Sequence, residues 1–134
     1  MARPARAGIL IYALDLERLS RFYEGVLGLR TLAADADHHI LESDDIQLIV
    51  HAIPPEHAEG VTVDTPPSPR MDQAIKPFFT VPSLARAEAE AAALGGVVYG
   101  PVWEGPGFAV RNACDPEGNI IQVRELAQRQ RETT

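Results

Sequence analysis

The sequence predicts one α+β domain in which a strand, helix and strands unit is laid down twice, and three observations predict it. A branched apolar run, an amphipathic stretch and further short strands follow one another between residues 7 and 53, and the same order returns between residues 75 and 126. Between them lies a connector, residues 54 to 74, carrying Pro54, Pro55, Pro66, Pro67 and Pro69; without ladder donors at those positions it is kept out of a central sheet and reads as a linker or flap. At 134 residues, with 46% apolar and 23% charged residues, the chain has the length and balance of a single globular domain.

The first unit opens on Gly8-Ile-Leu-Ile-Tyr-Ala-Leu14, apolar and branched as a buried strand should be. Asp15 is placed to cap a helix from Leu16 to Leu27, where Leu16, Leu19, Phe22, Tyr23, Val26 and Leu27 recur at spacings of three and four and share one stripe. Gly28 ends it, because glycine takes a left-handed conformation at least cost. Strands follow near His38 to Glu42 and Ile46 to His51, parted by the turn-like Ser43-Asp44-Asp45.

The second unit opens on Lys76-Pro-Phe-Phe-Thr-Val81, with Ser83 capping an Ala-rich helix from Leu84 to Leu94 that Gly95-Gly96 stops. Val97 to Tyr99, Phe108 to Ala113 and Ile120 to Arg124 read as strands, the last two joined across Asp115-Pro-Glu-Gly-Asn119. Gly100-Pro-Val-Trp-Glu-Gly-Pro-Gly107 reads as a loop that serves as a lid or dimer contact, with Trp103 packing on a ligand, a partner or the core. The polar tail, residues 127 to 134, is expected to fray.

Composition narrows the function classes. A net charge of −7 repels a phosphate backbone, so nucleic acid is not an expected partner. No run approaches the roughly 20 apolar residues needed to span a bilayer, and the run after the basic Met1-Ala-Arg-Pro-Ala-Arg6 stops at Asp15, too short for a signal segment. Cys114 is the only cysteine, which leaves no internal disulfide and makes a reducing cytoplasm the expected address. With no His following at a telling place, it is expected to be a packed, inert thiol.

Two stretches, Ala13-Leu-Asp-Leu-Glu-Arg-Leu-Ser-Arg-Phe-Tyr-Glu-Gly-Val-Leu-Gly28 and Asp115-Pro-Glu-Gly-Asn-Ile-Ile-Gln122, resemble the strand-to-helix signature and terminal hairpin of the vicinal oxygen chelate superfamily. That superfamily includes glyoxalase I, extradiol dioxygenases and bleomycin-resistance proteins. The resemblance implies paired βαβββ modules whose sheets curl into a cup, often in a homodimer. It also implies a divalent ion held by four side chains, one from the first and one from the last strand of each module. Aligned on Leu16 and Leu84, these positions hold Gly8, Gln47, Lys76 and Gln122, with no carboxylate or imidazole among them. Glycine offers no ligand, an ammonium repels a dication, and a Gln amide is a weak neutral donor, so no resident metal is expected.

The two-residue period of a strand puts Gly8, Leu10 and Tyr12 on one face, with Lys76, Phe78 and Thr80 equivalent in the second unit. In the geometry the resemblance implies, this face lines the cup with Gln47, Ile49, His51, Gln122 and Arg124, while Ile9, Ile11, Ile46, Leu48, Val50, Phe79, Val81, Ile121 and Val123 meet the helices. Tyr12, Gln47, His51, Lys76, Phe78, Trp103, Gln122 and Arg124 are the candidate ligand-binding residues. Lys76 and Arg124 suit a carboxylate, enolate or phenolate, against the alternatives of a rim lysine paired with an acid and a solvated arginine at a strand end. His51 is either a strand-end imidazole or a shifted metal ligand, while His38, His39 and His57 are expected to be solvated.

The leading expectation is a small-molecule binding protein of the bleomycin-resistance type, homodimeric, holding an organic and anionic ligand without metal. The alternative is a glyoxalase-like lyase or isomerase, or a dioxygenase-related enzyme. It would work either without metal, a desolvated Lys76 stabilising an enolate or serving as a catalytic base, or with a divalent metal on shifted ligands such as His51. A structural or regulatory module with a filled cup is the third reading.

Overall fold

The computed structural model describes residues 5–127, so residues 128 to 134 of the polar tail lie outside it. The first module runs β1 (Gly8–Ala13), α1 (Leu16–Leu27), β2 (Arg30–Ala34), β3 (His38–Glu42) and β4 (Gln47–Ala52). A short helix, α2 (Pro55–Ala58), begins the connector. The second module runs β5 (Phe78–Thr80), α3 (Leu84–Ala93), β6 (Val97–Gly105), β7 (Phe108–Cys114) and β8 (Ile120–Leu126).

Each module folds into a four-stranded mixed sheet of matching order, β1-β4-β3-β2 and β5-β8-β7-β6, with the first strand parallel to the last and the rest antiparallel. These are the paired βαβββ modules of a cup-shaped, curled sheet. Both helix starts are capped as their sequences require: the Asp15 carboxylate accepts from Arg18 N–H at 3.1 Å, and the Ser83 hydroxyl accepts from Arg86 N–H at 3.1 Å. Gly28 closes α1 at φ 69°, a conformation costly for any residue with a Cβ.

One apolar core joins the modules. Leu19, Phe22, Tyr23 and Val26 of α1 pack with Leu48 and Val50 of β4, Phe79 and Val123 of the second sheet, and Ala87 and Ala91 of α3. These strand residues are the predicted helix-facing set, and their burial leaves the alternate residues on the concave side. The Asp115–Asn119 turn locks the assembly. The buried Asp115 carboxylate accepts from Tyr23 Oη at 2.7 Å, from the N–H groups of Glu117 and Asn119, and from Asn119 Nδ2. Glu117 reaches into the first module, accepting from the N–H groups of Leu14 and Asp15 at 2.7 and 2.8 Å.

Three features depart from the sequence reading. Strand β2 was not foreseen, because Arg30-Thr-Leu-Ala-Ala34 is exposed throughout and carries no alternation. The connector contains α2, begun by Pro55 at its first position, where a missing N–H costs nothing. The expected loop around Trp103 is instead a continuation of β6. This strand lies at the sheet edge, and its register shifts between Tyr99 and Trp103, so Pro101 needs no ladder donor and Gly100 takes φ 78°. No helix among the described residues is long and apolar enough to cross a membrane.

Candidate functional site

The concave face of the second sheet centres on Arg124. Parallel pairing sets Phe78 beside Gln122 and Thr80 beside Arg124, and the hairpin register sets Asn112 opposite Gln122 and Val110 opposite Arg124. The Arg124 guanidinium lies between two rings, 3.7 Å from the centroid of Phe78 and 4.1 Å from that of Phe108. Ring faces attract the cation, so the group is held in place without a carboxylate partner. Its Nε is buried with no hydrogen-bond partner among the described residues. With both faces covered, only the in-plane edge is left for recognition, the edge that forms forked hydrogen bonds with carboxylates and phosphates. The solvated strand end considered for Arg124 is therefore not what forms.

Lys76 lies two residues before β5 and is exposed, donating from Nζ to Asn112 Oδ1 at 3.3 Å. Its partner is an amide rather than the neighbouring acid considered above. Trp103 pairs with Val110, which turns its half-exposed indole to the same concave face.

The concave face of the first sheet is aromatic. Tyr12 pairs with His51, and His38 lies opposite His51 on the other side. The Tyr12 ring meets His51 edge-on at 5.6 Å, while His38 stacks on it at 6.0 Å with only 14° between planes. His51 Nδ1 lies 2.7 Å from the Ala52 carbonyl oxygen. Of the imidazoles expected to be solvated, His39 is buried on the helix side, 3.8 Å from Glu17, because alternation along β3 turns it opposite to His38.

The four positions that the resemblance assigned to metal ligands do not fit a divalent ion. Gly8 pairs with Gln47 so closely that a Cβ on it would stand 2.8 Å from the Gln47 carbonyl oxygen, so the backbone has closed over the space a ligand side chain needs. Gln47 and Gln122 offer amides, and Lys76 offers a cation to Asn112. Among the described residues no three His, Cys, Asp or Glu side chains come together as a set able to hold a metal.

The larger cavities divide the predicted residues rather than collecting them. One, of about 560 Å³, runs along the open edge of β1 beneath the connector, bounded by Ile11, Tyr12, Ile53, Val61, Pro77 and Ile120 among others; of the eight candidates it takes Tyr12 alone. Phe78 borders a second, of about 420 Å³, and Gln47 a third, of about 350 Å³. The remaining five line none of these three. Phe108, Asn112 and His38, which hold three of the candidates, were missed; counting pairs outward from the Asp115–Asn119 and Ser43–Ile46 turns places Asn112 opposite Gln122 and His38 opposite His51.

The buried groups have shifted ionisation. Burial pushes the Tyr23 phenol well above its ordinary range, reinforced by Asp115. Burial also raises the carboxyls of Asp115 and Glu117, against the opposing hydrogen bonds each accepts. Cys114 is fully buried, and burial raises its thiol to about 11, which suits the inert role expected of it.

No family model and no curated protein matches the chain. Solved structures do. A glyoxalase-related enzyme from Fulvimarina pelagi is 20% identical over 89% of this chain and 86% of that one, with a TM-score of 0.65. A glyoxalase/bleomycin resistance protein/dioxygenase family enzyme from Burkholderia phytofirmans is 15% identical over 92% and 99%, with a TM-score of 0.66. The fosfomycin resistance protein FosX from Mesorhizobium loti is 15% identical over 98% and 99%, with a TM-score of 0.62. The chain has the fold that these structures share, the vicinal oxygen chelate fold that its two signature stretches predicted.

Proposed function

We propose that this protein binds a small organic anion in its cup without a resident catalytic metal. The observation that carries the reading is Arg124: a guanidinium clamped between Phe78 and Phe108, with a buried Nε that no described residue satisfies. A buried donor without a partner costs roughly 1–3 kcal/mol, which a ligand acid would recover. Gln122, Asn112 and Lys76 flank it with further donors. Tyr12, Phe78 and Trp103, all half-exposed on the concave side, supply aromatic walls. The names of the structural neighbours, spanning glyoxalase, bleomycin resistance and fosfomycin resistance, support a small organic ligand.

We further propose a cytoplasmic homodimer, in which a second copy covers exposed apolar residues such as Leu10 and Leu32. Sedimentation would show the dimer.

Thermal shift tests the anion site. Chelator-treated protein is expected to be stabilised by benzoate or phenylphosphonate and not by benzyl alcohol, with the shift lost in Arg124→Leu. Equal stabilisation by the alcohol, or shifts that appear only after a divalent metal is added, would refute the proposal.

A further inference from the structure

The geometry points to a second ligand site, separate from the anion surface: the open edge of β1, roofed by the connector, takes the backbone of one neutral acylated amino acid with an apolar side chain. In a parallel ladder alternate residues bond the neighbouring strand, and those between turn both N–H and C=O the other way. Gln47 N–H donates to the Ala7 carbonyl at 3.2 Å and Ile53 N–H to that of Ala13 at 2.9 Å, so the odd-numbered residues of β1 serve β4. Gly8, Leu10 and Tyr12 therefore face outward, on the side where β1 has no neighbouring strand. Leu14, next in that series, donates its N–H to the Glu117 carboxylate of the second module at 2.7 Å. The outward groups of Leu10 and Tyr12 have no partner among the described residues.

Leu10 and Tyr12 both line the cavity of about 560 Å³. Its walls are largely aliphatic, with Ile9 and Ile11 from β1, Pro77 and Ile120 from the second module, and Ile53 and Val61 from the connector side. The connector is tied to the β7–β8 hairpin by polar contacts. Arg70 N–H donates to the Gly118 carbonyl at 2.9 Å, and the Gln73 amide donates to the Ile120 carbonyl at 2.6 Å and accepts from its N–H at 2.8 Å. The cavity is thus formed before a ligand arrives, as small-molecule sites usually are.

Side chains do not complete this edge. Glu117 is engaged by Leu14 and Asp15, Gln73 by Ile120, and Pro77 has no N–H to give. A bare strand edge is complemented by another peptide unit, whose N–H meets the Leu10 carbonyl and whose carbonyl meets the N–H of Tyr12 or, in the antiparallel sense, of Leu10. A single acylated residue supplies both groups. A longer added strand does not fit, because Glu117 already takes the Leu14 N–H and Gly8 is not part of the cavity wall. Glu117 and Asp72 face the cavity against one cation, Arg70, whose Nε already donates to the Glu117 carbonyl at 3.2 Å, so an anion is disfavoured. The aliphatic walls receive the side chain.

The test titrates N-acetyl-leucinamide into the full chain labelled with nitrogen-15, alongside its ester analogue, in which oxygen replaces the acylated N–H, and alongside N-acetyl-leucinate. The backbone amide resonances of Leu10 and Tyr12 are expected to shift saturably with the neutral amide. The ester is expected to bind about fivefold more weakly, the effect of one lost hydrogen bond, and the carboxylate also more weakly than the neutral amide. Val61→Asp, which places a charge in the apolar roof, is expected to weaken the neutral amide and leave benzoate binding unchanged.

Equal affinity for the three compounds, shifts that centre on Phe78 and Phe108 instead of β1, undiminished binding in Val61→Asp, or no binding of the neutral amide would overturn the site. None of these results bears on the anion proposal, which benzoate tests separately.

Discussion

The two sides of the sheets differ in how they treat polar groups. On the helix side Asp115 satisfies Tyr23 and its own turn, and Glu117 satisfies two backbone N–H groups of the other module; among the described residues the Ser20 hydroxyl in α1 is buried without a partner. On the concave side the Arg124 Nε is buried without a partner among the described residues. A folded chain gains little from leaving a buried group unsatisfied, and under the proposed anion-binding role a ligand completes the concave side.

Substitutions can break this contrast. Asp115→Ala strands four donors, two of them in buried hydrogen bonds, and a loss of about 3 kcal/mol or more in urea unfolding is expected. Tyr23→Phe deletes one of those bonds, for roughly 1–3 kcal/mol. It also alters the alkaline limb. Because burial holds the Tyr23 phenol above its ordinary value of 10.0, an unfolded chain releases that proton first, and stability falls as pH rises past this point. The fall should be shallower in Tyr23→Phe, with Tyr99 and Cys114, also raised by burial, keeping it from vanishing.

Gly8→Ala forces a Cβ against the Gln47 carbonyl and should cost roughly 1–3 kcal/mol by the same assay. Arg124→Leu sharpens the comparison most, since it should leave stability within about 0.5 kcal/mol of wild type, because it removes an unsatisfied donor, while abolishing anion binding. A large destabilisation in that variant would show that the concave side, too, is finished by folding.

Much of this was legible in the residues. Asp15, Ser83 and Gly28 announced their caps, and two-residue alternation separated Val50 and Val123 from His51 and Arg124. What escaped has physical causes. Strand β2 is an exposed edge whose composition carries no burial signal, and Pro101 disguised a bulged strand as a loop. The Phe78–Arg124–Phe108 stack joins three strands, and sequence spacing does not show which long side chains lie across one another. The tight approach of Gly8 to Gln47 is a backbone distance, which no residue pattern reports.

The most direct measurement is isothermal titration of benzoate into the protein before and after exhaustive chelation, with metal content assayed in both samples. The account predicts the same saturable affinity in each, and its loss in Arg124→Leu. Binding that vanishes on chelation and returns with a stoichiometric divalent ion would contradict it.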